Sequence, residues 1–263
     1  MHYHSIFMNK KHDYPNISAV VFCFNDEQFN SEYLETITFA SDIIVFNYSK
    51  NNKKIGLIKN SKIDYLENEF NDFSALFKKA VAIAKNDWIF LFEINELLTS
   101  ELKAELIRTP AINKYKAYFI NHNFIFFDKE IKYGGLKNRK TIRFFNKNYC
   151  QVNTDNFDSA IQTKEKVGVL ENRLNDCSYS SFDLYNEKLN IFSRIKADNL
   201  FNNNNSKPYY YQFLFKPFQK FVTQYFFKLG FLDGKEGYIL AYINSFAVLK
   251  CYLSLWLKYK KME

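Results

Sequence analysis

The first strongly patterned stretch of the chain, Ile17 to Phe24 (ISAVVFCF), is a near-continuous run of apolar and β-branched residues. That is the pattern of a strand buried on both faces. Asn25, Asp26 and Glu27 follow as turn residues, and the segment from there to Phe39 reads as a helix. Asp42 to Phe46 (DIIVF) predicts a second short buried strand. Phe73, Leu76, Phe77, Ala80, Val81 and Ala84 recur at i, i+3, i+4 spacing and predict a helix over 73–84. Asp87 to Phe92 (DWIFLF) is a third strand, and Ser100 to Arg108 a short helix opening on a capping residue. Strands alternating with helices imply a parallel sheet in an α/β fold, whose ligands bind beyond the carboxyl ends of the strands.

From Tyr115 to Phe145 the pattern turns to alternating, aromatic-rich strands broken by Gly134-Gly135, and Phe182 to Leu200 reads as an amphipathic helix. The polar run 202–206 (NNNNS) then marks a boundary. The expected organisation is an N-terminal extension (1–16), an α/β domain (17–201), a linker (202–206) and a helical C-terminal region (207–263). In that last region Phe218, Phe221, Val222, Tyr225, Phe226 and Leu229 form one apolar face, opposed by Lys216, Gln219, Lys220, Thr223, Gln224 and Lys228. Pro217 is expected in the first helical turn, where proline is tolerated. Two arrangements suit such a helix: lying on an anionic membrane surface, or docking on the parent domain. The stretch 238–257 is long enough to span a bilayer, but Asn244 and Lys250 interrupt it. A charge at mid-bilayer is costly, so a peripheral helix is expected.

Charge sharpens this division. The chain of 263 residues has 36 Lys+Arg against 28 Asp+Glu, a net +8. Residues 207–263 hold nine lysines and three acids, so +6 of the +8 falls there, with 17 of the 50 aromatics. Confinement of the charge to a lysine-only amphipathic tail, with no recognition motif, argues against nucleic acid as a partner. Cys23, Cys150, Cys177 and Cys251 are far apart, which disfavours disulfide scaffolds and zinc sites. The first 15 residues have no apolar signal-peptide core, so a cytoplasmic address is expected.

The polar residues at the predicted strand ends are the chemical candidates: Asn25-Asp26-Glu27, Asn47, and Glu93-Ile94-Asn95-Glu96. Carboxylates leaving a buried strand at a ligand edge suit a divalent cation bound through oxygen; a solvated strand-to-helix turn has the same composition. GxGxxG, P-loop and GxSxG motifs are absent. That disfavours nicotinamide redox chemistry, P-loop phosphoryl transfer and serine hydrolysis.

Taken together, ISAVVFCFNDEQFNSEYLETI, FASDIIVFNYS, DWIFLFEINELLTSELKAEL, IKYGGLKNRKTIRFFNK and KPFQKFVTQYFFKLGFLDGKEGYILAYINSF resemble segments of family 2 glycosyltransferases of the GT-A fold, in the lipopolysaccharide-core glucosyltransferase-like branch. The resemblance runs from about Ile17 to Tyr259. It implies the GT-A nucleotide-diphospho-sugar transferase fold, a Rossmann-like, mostly parallel sheet flanked by helices, here with a C-terminal amphipathic helical appendage. It further implies transfer of a sugar from a nucleotide sugar, with inversion, to a lipid-linked or lipopolysaccharide/surface glycan acceptor, at the inner face of the cytoplasmic membrane.

The polar landmarks depart from the family's pattern. Asn47 stands where the family has an Asp contacting the nucleotide, and Glu93-Ile94-Asn95 where it has Asp-x-Asp. Phe77, with Lys78 beside it, replaces a basic residue; Asp158-Ser159 replaces the His-Glu pair, and Asp176 a later His. An inverting transferase needs a base for the acceptor hydroxyl, positive charge at the departing diphosphate, and a nucleotide pocket. The resemblance accordingly implies Asp158 as base, with Asp155 in reserve. It implies Asn25, Glu27, Asn47, Lys78, Glu93 and Arg143 around the nucleotide sugar, Lys140 near its phosphates, and Glu93, Asn95 and Glu96 as a weakened Mg²⁺ or Mn²⁺ site. The alternative reading of the altered motifs is a catalytically inactive pseudo-glycosyltransferase, a membrane-docked partner of an active enzyme.

Overall fold

A computed structural model describes residues 16–23, 35–47, 63–66, 73–127, 129–137, 141–153, 160–179, 182–203 and 207–262. In chain order the strands are β1 (Ile17–Cys23), β2 (Asp42–Asn47), β3 (Ile63–Leu66), β4 (Trp88–Glu93), β5 (Glu96–Leu97), β6 (Ala117–Ile120), β7 (His122–Phe126), β8 (Lys129–Ile131), β9 (Thr141–Asn146), β10 (Gln151–Val152), β11 (Ile161–Gln162), β12 (Val167–Val169) and β13 (Leu174–Tyr179). The helices are α1 (Phe73–Ile83), α2 (Ser100–Ile112), α3 (Phe182–Asn202), α4 (Tyr210–Val222) and α5 (Lys235–Tyr259). Between the last two lie a π-helical turn, Thr223–Phe227, and a 3₁₀ turn, Gly230–Asp233.

The main sheet has the order β12-β6-β9-β4-β1-β2-β3. β1 pairs in parallel with both β2 and β4, and β2 with β3. Only β9 runs against its neighbours β4 and β6. The apolar run of β1 explains its central place, since successive residues serve two cores. Ile17, Ala19, Val21 and Cys23 pack on the face covered by Leu102 and Leu106 of α2. Val20 and Phe22 pack on the opposite face with Leu76, Phe77, Ala80 and Val81 of α1 and Ile195 of α3. The architecture is therefore α/β, a parallel-rich sheet with helices on both sides.

A second sheet, β5-β13-β7-β8, lies beyond the carboxyl end of β4. Phe124, Phe126 and Ile131 from it form a smaller core with Tyr185 of α3 and Leu240 and Ile243 of α5. Farther along, Ala197 of α3 packs on Cys251 and Leu255 of α5. The region after the polar run is thus joined to the body through α3 by buried side chains.

Several expected boundaries move. The helix expected to end at Phe39 falls mostly outside the described residues, and its end is a pair of turns in which Thr38 and Ala40 bond back to Glu35 and Ile37. The cap of α2 is Thr99, whose hydroxyl accepts the Leu102 N–H at 3.2 Å. α2 runs through Pro110 to Ile112 and closes with Asn113 in the left-handed conformation. α4 starts at Tyr210, where the Gln212 side chain accepts the Tyr209 N–H at 2.9 Å. That earlier start puts Pro217 in the helix interior rather than its first turn. The expected single apolar stripe over 218–229 is also broken, because the π turn at 223–227 shifts the helical phase.

α5 is the one helix among the described residues long and apolar enough to cross a bilayer. The two polar residues that interrupt it face α3 instead. Lys250 Nζ donates to Asn186 and Asn190, both at 2.6 Å, and Asn244 accepts the Tyr185 hydroxyl at 2.5 Å. Burial pushes the Lys250 ammonium down, and the two amide oxygens accept two of its three protons.

Candidate functional site

The carboxyl ends of β1, β2 and β4 meet at one edge of the sheet, with Cys23 opposite Asn47 and Phe22 opposite Glu93 in register. Six elements converge just beyond β4. They bring together Glu93 (β4), Glu96 (β5), His122 (β7), Arg143 (β9), Asp176 (β13) and Lys188 (α3), all of them buried. The antiparallel β9 delivers Arg143 from the far side, and the second sheet supplies Glu96, His122 and Asp176.

The pairing is dense. Arg143 Nη2 donates to Glu93 Oε1 at 2.9 Å and to Glu96 Oε1 at 3.1 Å. Lys188 Nζ donates to Glu93 Oε2, and Glu96 Oε2 accepts the Glu93 backbone N–H at 2.7 Å. His122 Nε2 lies 3.3 Å from Glu96 Oε1, a close approach without a hydrogen bond. Burial by itself pushes the Glu93 carboxyl up, yet the charges of Lys188 and Arg143 outweigh it and hold the group well below the usual carboxylate range. Burial likewise opposes the charge on Arg143 and on Lys188, and the facing carboxylates, Glu96 and Glu93 for Arg143 and Glu93 and Asp176 for Lys188, keep both held more firmly protonated than usual.

This arrangement bears on two expectations. Glu93, Asn95 and Glu96 do not fit a divalent cation as they stand, because each carboxylate oxygen of Glu93 and Glu96 already accepts a donor. A metal ion there would sit beside a guanidinium and an ammonium and would have to displace them. The Asn95 carbonyl is engaged as well, accepting the Cys177 N–H at 3.0 Å. Among the described residues no group of three His, Cys, Asp or Glu is arranged to hold a metal. Arg143, expected at the donor phosphates, is buried between two carboxylates instead.

The other expected residues are not drawn into this cluster. Lys78 is exposed on α1, while Phe77 beside it is wholly buried against Phe22 and Phe46. Asn47 ends β2 at the ligand edge. Asn25, Glu27, Lys140, Asp155 and Asp158 lie outside the described residues. Lys188 escaped the sequence reading although a signal was present. It stands in line with Tyr185, Phe192 and Ile195 at helical spacing, a lone cation on an apolar face.

Fold and site together define a mixed α/β protein with a mostly parallel sheet, its ligand edge floored by a buried ion-pair cluster in which Arg143 and Lys188 neutralise Glu93 and Glu96. No protein-family model matches the chain. Among solved structures it is similar to S. aureus TarS 1–349, with a TM-score of 0.47 and 9% identity over 94% of this chain and 92% of that one. It is similar to the same protein in complex with UDP (TM-score 0.46, 9% identity, 94% and 92%). The complex with UDP-GlcNAc matches at TM-score 0.44 and 10% identity, over 93% and 91%.

Proposed function

We propose that this chain is a glycosyltransferase of the GT-A type, moving a sugar from a nucleotide sugar to a lipid-linked or surface glycan acceptor at the inner face of the cytoplasmic membrane. The observation that carries the reading is where the family-like segments fall. They fall on β1, β2, β4 with β5 and α2, β8 with β9, and α4 with α5. Three of them therefore lead to the one sheet edge where α/β folds bind ligands. Membrane attachment is supported by the outer surface of the C-terminal helices, where Leu214, Phe215, Phe218, Phe226 and Phe227 are exposed.

In this reading Asp158 takes the acceptor proton as attack inverts the anomeric carbon, and Asn25, Glu27, Asn47 and Lys78 meet the nucleotide. No step runs through a metal at Glu93, Asn95 and Glu96. The buried cluster acts as the rigid floor that fixes the β4 edge. A second reading, a non-catalytic relative acting as a membrane-docked partner, is favoured by that same neutralisation of Glu93 and Glu96.

One experiment separates them: incubation with a panel of nucleotide sugars, with and without Mn²⁺, reading released nucleoside diphosphate, followed by calorimetry with the nucleotides. The transferase reading expects release from at least one donor and a ~10²–10⁴-fold loss in Asp158→Ala, the span of a general base. Tight metal-dependent binding of a nucleoside diphosphate counts against the non-catalytic reading, and neither binding nor release overturns the transferase reading.

A further inference from the structure

A connection between two helices ordinarily turns its polar residues to water and its large apolar ones to the body. The link between α4 and α5 does the opposite. Phe226, Phe227, Leu229, Phe231 and Leu232 are 44–79% exposed, while the polar side chains flanking them, Gln224 and Asp233, are only 3% and 4% exposed. The Asp233 carboxylate turns inward to the N–H groups of Lys132 and Tyr133, and the Lys228 carbonyl accepts the Gly134 N–H at 2.8 Å. The polar atoms of the link thus fasten it to the chain that follows β8, and its apolar side chains are left outside. Leu229 is held at φ 59°, in the left-handed region where a bulky residue is strained. The neighbouring hairpin between β7 and β8 repeats the feature. Phe127 is 51% exposed at φ 44°, two residues before Lys129, whose ammonium reaches the Asp233 carbonyl. Glycine would adopt either conformation without strain; instead both positions show an apolar side chain to the outside.

Five exposed apolar side chains within seven residues, on a turn fastened from beneath, call for an apolar medium outside. The surrounding charge says which medium. Lys207, Lys216, Lys220, Lys228 and Lys235 are all exposed, and the one acid among residues 207–235 is the buried Asp233. Two copies of this surface brought together would set lysines against lysines, which is costly. A leaflet of anionic lipid is complementary to it. We infer that residues 226–232, with Phe127 beside them, insert into the acyl–headgroup boundary of an anionic leaflet, with the exposed lysines around them on the lipid phosphates. The inference rests on the membrane attachment in the proposed function and deepens it, naming the element that enters and the lipid it selects. Its test reads binding without turnover.

The test is flotation of the full chain with phosphatidylcholine vesicles, with and without phosphatidylglycerol. Phe226→Ser/Phe227→Ser/Phe231→Ser is compared with Ile112→Ser/Tyr149→Ser/Val169→Ser, which removes exposed apolar side chains from the main body. Wild-type binding should require phosphatidylglycerol. It should fall about 10- to 100-fold in the turn variant, following the apolar area withdrawn from the boundary, while the control stays within about 3-fold. Thermal melts check folding. Leu229→Gly, which relieves the left-handed strain as it removes one apolar side chain, should fold at least as well as wild type and still bind more weakly. Unchanged binding in the turn variant and in Leu229→Gly would overturn the turn as the inserting element and leave membrane attachment standing. Failure of the wild type to bind either vesicle would overturn both. Equal binding with and without phosphatidylglycerol would overturn the anionic-lipid assignment. A wild-type dimer that the turn variant dissolves in sedimentation, with vesicle binding unchanged, would give the turn to a second copy instead.

Discussion

Glu93→Ala is expected to cost ~3–5 kcal/mol of folding stability, the usual consequence of removing one partner from a buried ion pair. The loss comes mainly from what is left behind. Arg143 keeps Glu96 as a partner, but Lys188 loses the carboxylate its ammonium touches, in a place where it is 8% exposed. Chemical denaturation of Glu93→Ala, Lys188→Met and the double variant gives the check. The double variant should recover most of the loss, since a buried apolar side chain replaces an ammonium deprived of the carboxylate it touches. Additive losses would show that the two residues are not coupled. A pH series gives an independent readout. The Glu93 carboxyl is held below its ordinary 4.5 in the folded state, so its stabilisation is complete above about 4.5 and is lost as pH falls through the folded value. Lys188 is held above its ordinary 10.5; its contribution is complete below that value and is lost as pH rises through the folded one. The wild type should therefore weaken at both extremes, and Glu93→Ala should show a flatter acid limb.

How the two halves of this cluster were legible differs for physical reasons. Strands β1, β2 and β4 stand out because both their faces are buried, which leaves continuous apolar runs. β3 (IDYL) is four residues long with Asp64 exposed, and no periodicity marks it. The charged residues at the β4 edge could be named from their place after a buried strand. Their partners could not. Arg143 is 50 residues from Glu93, and Lys188 is 95 away. The first pairing depends on a reversed strand inserted beside β4, the second on how α3 crosses the sheet. Sequence order puts Glu93 beside Asn95 and suggests oxygen ligands; the fold puts it beside two cations. The C-terminal region illustrates the same limit, because a regular helical stripe over 218–229 crosses a π turn that rotates the later residues off it.

The Gly-Gly and C-terminal motifs were recognisable as a pattern, and their contacts show what the pattern does. Gly237→Ala should loosen the whole C-terminal pair of helices. A Cβ on Gly237 would lie 1.9 Å from the Gly230 carbonyl oxygen and 3.0 Å from Asp233 Cβ, so the 3₁₀ turn must move. That turn is the clasp of the region. Asp233 accepts the N–H groups of Lys132 at 3.0 Å and Tyr133 at 2.8 Å, and Lys129 Nζ reaches the Asp233 carbonyl and Glu236 Oε2, both at 2.7 Å. Beside it the Gly134 N–H donates to the Lys228 carbonyl at 2.8 Å. Gly135, at φ +76°, leaves room for the Lys228 side chain where a Cβ would approach to 2.5 Å. Overpacking alone costs ~1–3 kcal/mol, and each hydrogen bond to the Asp233 carboxylate is worth ~1.5–3 kcal/mol. Asp233→Ala supplies the comparison, since it removes the acceptor without the clash. In both variants hydrogen exchange and limited proteolysis should show α4 and α5 opening well before the main sheet, and binding to anionic vesicles should fall with them. Wild-type protection of α5 in Gly237→Ala would mean that the turn yields at little cost and is not the clasp. Opening of the sheet together with the helices would mean that α3 passes the disturbance through Lys188 into the buried cluster, making the C-terminal helices and the ligand edge one cooperative unit.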